Sequence, residues 1–262
     1  MNINLLKTRA FTCCAAIFSL MPLFVHSDDT EIYTGIAERD APNVIFIMDT
    51  SGSMGWANNG YRYPPIGESR LEQVQEAAID TINNTDGINI SLMRFNGSRS
   101  SYGGYVDLPM TPVAEARADF ASKMNSYTAW GGTPITESLS EAMRYLRGDS
   151  VSYGRYGSTY YSDSASRSGS TYNSPVSHQC QKNHIVLFSD GQPSGDTGVN
   201  NSITSSYNAL VEDEQNILKN AYPPASPVAG VNYLQKCQSS TSGSCAEELA
   251  FMANKTDLSS AF

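Results

Sequence analysis

The chain has 262 residues, 40% of them hydrophobic, which suffices for one large α/β domain or two small ones. Its 26 acidic side chains outnumber 17 basic ones, for a net charge of −9. The basic residues are scattered, which excludes a nucleic-acid-binding stripe, and the acidity favours solubility and affinity for cations.

The amino terminus reads as a targeting segment. Lys7 and Arg9 precede an apolar run from Phe11 to Val25, and Val25-His26-Ser27 offers a cleavage point before Asp28-Asp29. The run is short for a membrane span. The expectation is a signal peptide over residues 1–27, a polar lead-in over 28–42, and an exported mature chain without a membrane span. Cys13 and Cys14 leave with the signal. Cys180, Cys237 and Cys245 remain, and export should oxidise them. Cys237 and Cys245 bracket a short polar loop and form the preferred pair. A bond from Cys180 to either is the alternative, and spacing leaves the choice open. His178 and His184 are isolated and do not suit zinc.

The first strong element is Asn43 to Met48, whose apolar run from Val44 to Met48 reads as a buried parallel strand. A long loop with Pro64-Pro65 follows. Ser69 is a plausible N-cap for a helix to about Asn84, with Leu71, Val74, Ala78 and Ile82 on one face. Ile88 to Phe95 alternates as a strand does. Gly97 to Gly104 is a hairpin-like turn, and Tyr105 to Leu108 a short strand. Thr111-Pro112 predicts a second helix, with Thr111 as N-cap, and Gly131-Gly132-Thr133-Pro134 predicts a third in the same way. That helix ends at Gly148.

Residues 148–179 are Ser, Gly and Tyr with few aliphatics, and read as an exposed insertion without a core of its own. Asn183 to Ser189 is another apolar strand, ended by Asp190-Gly191. A helix is expected over 200–221, broken by Pro223, Pro224 and Pro227, and a last one over 244–254. Strands alternating with helices predict an α/β fold: a doubly wound, mainly parallel sheet flanked by helices on both faces.

Three strand-to-helix junctions carry oxygen ligands: Asp49, Ser51 and Ser53 at the first, Thr133 at the second, Asp190 at the third. Parallel strands deliver such junctions to one edge of the sheet. Two carboxylates and three hydroxyls suit a hard cation, an octahedral Mg²⁺ that keeps waters before Mn²⁺ or Ca²⁺. A metal with so little protein charge around it stays electrophilic and gains by accepting a partner's carboxylate. The plainer reading is that these residues cap the following helices, which serves Thr133 alone better than all five together.

Asp49-Thr-Ser-Gly-Ser53, Gly131-Gly-Thr133-Pro and Ser189-Asp190-Gly together resemble the metal-ion-dependent adhesion site of von Willebrand factor type A domains. That pattern is Asp-x-Ser-x-Ser, then a distant Thr and a distant Asp, and all five positions match. The resemblance covers residues 43–262. It implies a Rossmann-like fold and a divalent cation ligated by the hydroxyls of Ser51, Ser53 and Thr133, with Asp49 and Asp190 acting directly or through water.

A narrower likeness lies in Cys180-Gln-Lys-Asn-His-Ile-Val-Leu-Phe-Ser-Asp-Gly191 and in Cys245-Ala-Glu-Glu-Leu-Ala. These are similar to PilC/PilY-type proteins, the type IV pilus tip-associated adhesins and assembly factors of bacteria. That family continues into a further core strand and a β-propeller. Relative to it, a chain ending at Ala261-Phe262 is expected to be truncated and to lack its last strand or strands.

Smaller signals have ordinary readings beside functional ones. Arg147-Gly148-Asp149 is an integrin-type tripeptide, or simply a helix stop at Gly148. Trp56 and Trp130 either flank the metal or pack in the core. The insertion's tyrosines suit a contact surface or a solvated loop. Enzyme motifs are missing: Asp49-Thr-Ser-Gly places its glycine one residue late for an aspartic protease, and no Gly-x-Ser-x-Gly, His-Glu-x-x-His or phosphate loop occurs.

The expectation is a non-enzymatic, exported binding domain of a pilus tip-associated adhesin or biogenesis factor, at the bacterial surface after passage through the periplasm. It would bind an acidic group of a minor pilin, a host surface protein or its own downstream domain. The alternatives are a structural or regulatory domain whose metal only stabilises the fold, and an ATPase-associated module.

Overall fold

The computed structural model describes residues 40–96, 103–178, 180–191, 193–196, 198 and 246–255. At its centre is a four-stranded sheet of β1 (Asn43–Met48), β2 (Asn89–Phe95), β3 (Gly104–Pro112) and β8 (Asn183–Phe188). The spatial order is β3-β2-β1-β8; β2 and β8 run parallel to β1, and β3 is antiparallel to β2. This is the expected doubly wound α/β architecture with an antiparallel edge. The strand order reverses between β1 and β8, so the crevice at their carboxyl ends is the topological switch point, where such sheets bind ligands.

Strand β1 is apolar from Val44 to Met48 because both its faces are covered. Phe46 and Met48 point to one side, with Leu71, Ala78 and Ile82 of α1 (Arg70–Asn83) and Val113, Ala116, Phe120 and Met124 of α2 (Val113–Ser126). Ile45 and Ile47 point to the other, with Ile135, Ala142, Tyr145 and Leu146 of α3 (Ile135–Arg147). Fully burying a side chain of this size contributes about 1.5–3 kcal/mol, so these two clusters hold the layers together. The last described helix is α4 (Ala246–Lys255), close to the expected 244–254. No helix among the described residues is long and apolar enough to cross a membrane.

At the amino-terminal end of the sheet three asparagines stand in register. Asn43 pairs with Asn89 on one side and Asn183 on the other. Asn89 Nδ2 donates to Asn43 Oδ1 at 3.0 Å, and Asn43 Nδ2 donates to Asn183 Oδ1 at 2.9 Å. Asn43 is fully buried.

Helix α1 starts as predicted. Ser69 Oγ accepts from Glu72 N, Glu72 returns a bond to Ser69 N, and the capping box is complete. Two other helix starts differ from expectation. Thr111 and Pro112 end β3, which is longer than the expected 105–108, and α2 begins at Val113 without a side-chain cap. A bulge lets Pro109, which has no N–H to donate, stay inside this edge strand. Helix α3 begins at Ile135; Pro134 occupies the N-cap position, and Thr133 does not cap it.

The largest correction concerns residues 148–179. They form two small hairpins, β4 (Arg155–Tyr156) with β5 (Thr159–Tyr160), and β6 (Arg167–Ser168) with β7 (Thr171–Tyr172). Val151, Tyr172 and Val176 join the core beneath α3. A buried carboxylate does the organising. Glu141 of α3 accepts from Ser152 N at 3.0 Å, Tyr153 N at 3.0 Å, Gly154 N at 2.9 Å and Tyr172 Oη at 2.8 Å. Gly154 is required there, because a Cβ would collide with Ser162 Oγ and Tyr172 Oη. A polar segment thus docks through hydrogen bonds that a count of aliphatics does not reveal.

The expected signal peptide and most of the lead-in, the turn over 97–102, the helix over 200–221, Cys237, Cys245 and the last residues lie outside the described residues. Cys180 is described; it is exposed and free.

Candidate functional site

The crevice between β1 and β8 is filled by side chains from the loops that follow them. Asp49 leaves β1 with its N–H donated to Phe188 O at 2.9 Å and is completely buried. Its Oδ1 accepts from Ser51 N at 2.7 Å, and its Oδ2 accepts from Ser189 Oγ at 2.6 Å. Burial pushes the Asp49 carboxyl above its usual range, the bonds from Ser189 and Ser51 pull it back, and the nearby charge of Asp190 adds to the rise.

Ser51 opens a short 3₁₀ turn over Gly52–Gly55. That turn folds Ser53 back beside Ser51, with the two Oγ atoms 3.2 Å apart. Ser53 Oγ donates to Asp190 Oδ1 at 2.9 Å. The alternating spacing Asp49-Ser51-Ser53 therefore places three oxygen-bearing side chains in one chain of contacts that ends on Asp190.

Thr133, expected at a second strand-to-helix junction, arrives instead from the loop between the helices α2 and α3. Gly52 N donates to Gly131 O at 3.1 Å, and Trp130 N donates to Thr50 O at 2.7 Å, which lays the 130–133 loop along the first. Thr133 is buried and backbone-paired with Ser194: Thr133 N donates to Ser194 O and Ser194 N to Thr133 O, both at 3.1 Å. Among the described residues no hydrogen bond joins the Thr133 hydroxyl to the other four side chains. The structure thus links Asp49, Ser51, Ser53 and Asp190 by direct contact or field, and sets Thr133 beside them through its backbone.

Three residues of this region carry no motif signal, and a fourth, Ser189, stood in the motif without a role of its own. Ser189 holds Asp49. Arg70, at the start of α1, forms an ion pair with Asp190 Oδ2 and donates to Ser53 O at 3.4 Å. Asp196 and Glu137 lie at the head of α3. Only Arg70 had an indirect sequence signal, as the residue following a legible N-cap.

The donor set fits a hard cation. It contains carboxylate and hydroxyl oxygens and neither nitrogen nor sulfur. The charge of Asp190 adds to the cost of ionising the buried Asp49, which a cation between them would relieve. No cluster of three or more His, Cys, Asp or Glu occurs among the described residues, so hydroxyls and waters would have to complete the shell.

The rim of the crevice is aromatic. Trp130 is 66% exposed, which rules out its packing in the core. Trp56 is half-buried beneath the Arg62 guanidinium, 4.7 Å from the ring centre. Beside them lies a groove of about 440 Å³ lined by Arg62, Tyr63, Ile66, Leu71 and Ala129. Elsewhere, the Arg147-Gly148-Asp149 tripeptide is built into the end of α3. Gly148 adopts φ +72°, Asp149 N donates to Arg144 O, and Arg147 Nε lies 3.4 Å from Asp149 Oδ2. This is the helix-stop reading of those residues.

A family model described as "PilY1 homolog, second domain" matches residues 66–244. No curated protein matches the chain. Among solved structures, the PilB minor pilin from Streptococcus sanguinis is 21% identical over 41% of this chain and 26% of that chain, with a TM-score of 0.36. BatB from Bacteroides thetaiotaomicron is 16% identical over 64% of this chain and 62% of that chain, TM-score 0.39. The vWF domain of the type V pili tip protein Mfa5 from Porphyromonas gingivalis is 16% identical over 72% and 55%, TM-score 0.35. The match spans less than two thirds of each of these three proteins.

Proposed function

Because the chain belongs to the family of the PilY1 homolog second domain, we propose that it is a pilus-associated, exported binding domain that engages an acidic group of a protein partner through a divalent cation. Asp49, Ser51, Ser53, Thr133 and Asp190 would hold the ion, Mg²⁺ first and Mn²⁺ or Ca²⁺ next. When bound, the ion supplies a positive centre with an open position for a carboxylate.

The observation that carries this reading is the contact chain Ser51 Oγ, Ser53 Oγ and Asp190 Oδ1 beside the buried Asp49. The residues of the chain do the rest. Ser189 and Ser51 N–H orient Asp49 from both sides, so its carboxylate cannot rotate away. The burial of Asp49 keeps water from screening the site. The exposed Trp130 and the groove beside Ile66 and Tyr63 offer apolar contact to whatever presents the acid. Partners of this chemistry include a minor pilin, a host surface protein or a downstream part of a longer chain.

The test is a titration of Mg²⁺, Mn²⁺ and Ca²⁺ into the wild type and Asp49→Ala. Melting temperature is followed together with binding to purified minor pilins of the source bacterium. The expected result is cation-dependent stabilisation and binding in the wild type and neither in the variant. A variant that folds and binds like the wild type sinks the proposal.

Arg70 favours a second reading, a structural domain in which the site is a closed junction. Its guanidinium already neutralises Asp190 from within the chain. A cation that raises the melting temperature without changing any binding would support that reading.

A further inference from the structure

Helix α3 lacks a cap from its own chain neighbourhood. Pro134 stands at the N-cap position and no side chain there accepts from the first turn. The missing acceptors come from Asp196, 60 positions away. Its Oδ2 accepts from Thr136 N at 2.8 Å and from Thr136 Oγ1 at 2.6 Å, and its Oδ1 accepts from Glu137 N at 3.0 Å. Asp196 is 2% exposed. On one side of this contact Ser194 pairs with Thr133 through both backbone groups and through Oγ, which accepts from Thr133 N at 3.1 Å. On the other, Gly198 N donates to Glu137 Oε1 at 3.0 Å. Three successive alternate residues are thus fastened to the head of one helix.

The position of this fastening gives it meaning. Asp196 follows Asp190 by six residues. Thr136 and Glu137 follow Thr133 by three and four. The contact therefore bridges two loops, the α2–α3 loop that carries Thr133 and the loop after β8 that carries Asp190, between which the described residues show no hydrogen bond from the Thr133 hydroxyl to Asp190. A local Ser or Thr would cap α3 with less burial of charge, as Ser69 does for α1. A buried carboxylate aimed at a helix amino terminus is held by the helix dipole as well as by the N–H donors.

We infer that Asp196 is a positioning residue for the proposed cation site: by capping α3 from the Asp190 loop, it fixes Thr133 relative to Asp190. The inference rests on the cation reading of the previous subsection. Asp196 itself does not ligate. Both its oxygens are engaged by α3, so its effect reaches the ion through the spacing of the two ligands on either side.

The test uses the full chain, stripped with EDTA and titrated with Mn²⁺, with the free ion read by electron paramagnetic resonance. A second readout, amide exchange at Thr136 and Glu137 in the metal-free protein, reports the cap directly. Asp196→Ala should weaken Mn²⁺ binding roughly 10–100-fold, as loss of supporting groups around metal ligands does, and should speed exchange at both amides. Asp196→Asn, which keeps one acceptor oxygen, should recover part of the affinity and still bind about threefold or more weaker than wild type. Ile90→Ala, in the core at the amino-terminal end of β2 and away from the crevice, should lower the melting temperature and leave Mn²⁺ affinity unchanged. Wild-type affinity in Asp196→Ala overturns the inference, and so does a loss in Ile90→Ala that scales with its loss of stability. If Asp196→Ala does not fold, Asp196→Asn decides in the same way. A wild type that binds no Mn²⁺, indistinguishable from Asp49→Ala, overturns the cation reading and this inference with it.

Discussion

Ser53 and Asp190 are 137 positions apart and meet in a 2.9 Å hydrogen bond that closes the crevice between β1 and β8. Together with the bond from Ser189 Oγ to Asp49 Oδ2, it ties the first motif of the candidate site to the last. A double-mutant cycle with Ser53→Ala and Asp190→Ala, read by urea unfolding in EDTA, should give a coupling of about 0.5–1.5 kcal/mol. Strict additivity would mean that the two residues do not support each other in solution.

Arg70 competes with any cation for Asp190. The ion pair is largely shielded, with side-chain exposures of 22% and 9%. Removing the guanidinium leaves Asp190 without its internal counter-charge and removes a positive charge from beside the proposed ion. Arg70→Ala should therefore melt a few degrees lower in EDTA and bind Mn²⁺ roughly tenfold more tightly. Unchanged or weaker binding would favour the closed-junction reading.

Glu137 should make stability pH-dependent. Burial raises its carboxyl from 4.5 to about 7, against the pull of the Gly198 N–H and with a small addition from Asp196. The folded chain then holds this proton more tightly than the unfolded chain. The group's contribution is complete below about pH 4.5, declines as pH rises across the window, and is lost above about 7. Glu137→Gln keeps an acceptor for Gly198 and removes the buried charge. It should gain on the order of 1–3 kcal/mol at pH 8 and nothing at pH 4, as measured by thermal melting across that range.

Glu141 should prove to be the anchor of the 148–179 insertion. Glu141→Ala strands three backbone N–H groups in a dry site and leaves the Tyr172 hydroxyl with Ser162 Oγ as its remaining partner. We expect a loss of about 2–4 kcal/mol, with faster amide exchange at Ser152, Tyr153 and Gly154. An exchange pattern identical to wild type would show that the hairpins hold without it.

The parts of this fold that were legible in the sequence are those coded locally. Strand β1 announced itself because burial on both faces demands an unbroken apolar run. Helix α1 did so because Ser69 stands directly before an apolar face of Leu71, Val74, Ala78 and Ile82. Asp49, Ser51 and Ser53 were visible as a site because alternation in a short loop turns them the same way. The roles of Ser189, Arg70 and Asp196 were not visible, since each acts on a partner that only the folded sheet brings near. The insertion misled for a related reason. Its own residues are polar, and the carboxylate that organises them lies on α3. Thr111-Pro112 and Thr133-Pro134 read as helix starts because the dipeptide suits the first turn, yet strand pairing claimed the former and Asp196 supplied the cap after the latter.

The asparagine triplet at the far end of the sheet has a consequence for the crevice. Strands advance about 3.3 Å per residue, so a slip of one position between β1 and β8 would part Asp49 from Ser189, and Ser53 from Asp190, by more than any hydrogen bond tolerates. Apolar side chains such as Ile, Val and Leu are nearly interchangeable and resist such a slip only through which face they occupy. Amides are not interchangeable with them, because a shifted Asn43 would be left in the dry interior with its polar atoms unmatched. Asn43, Asn89 and Asn183 thereby act as an index mark at one end of the molecule, from which the alignment of the oxygens at the other end is measured.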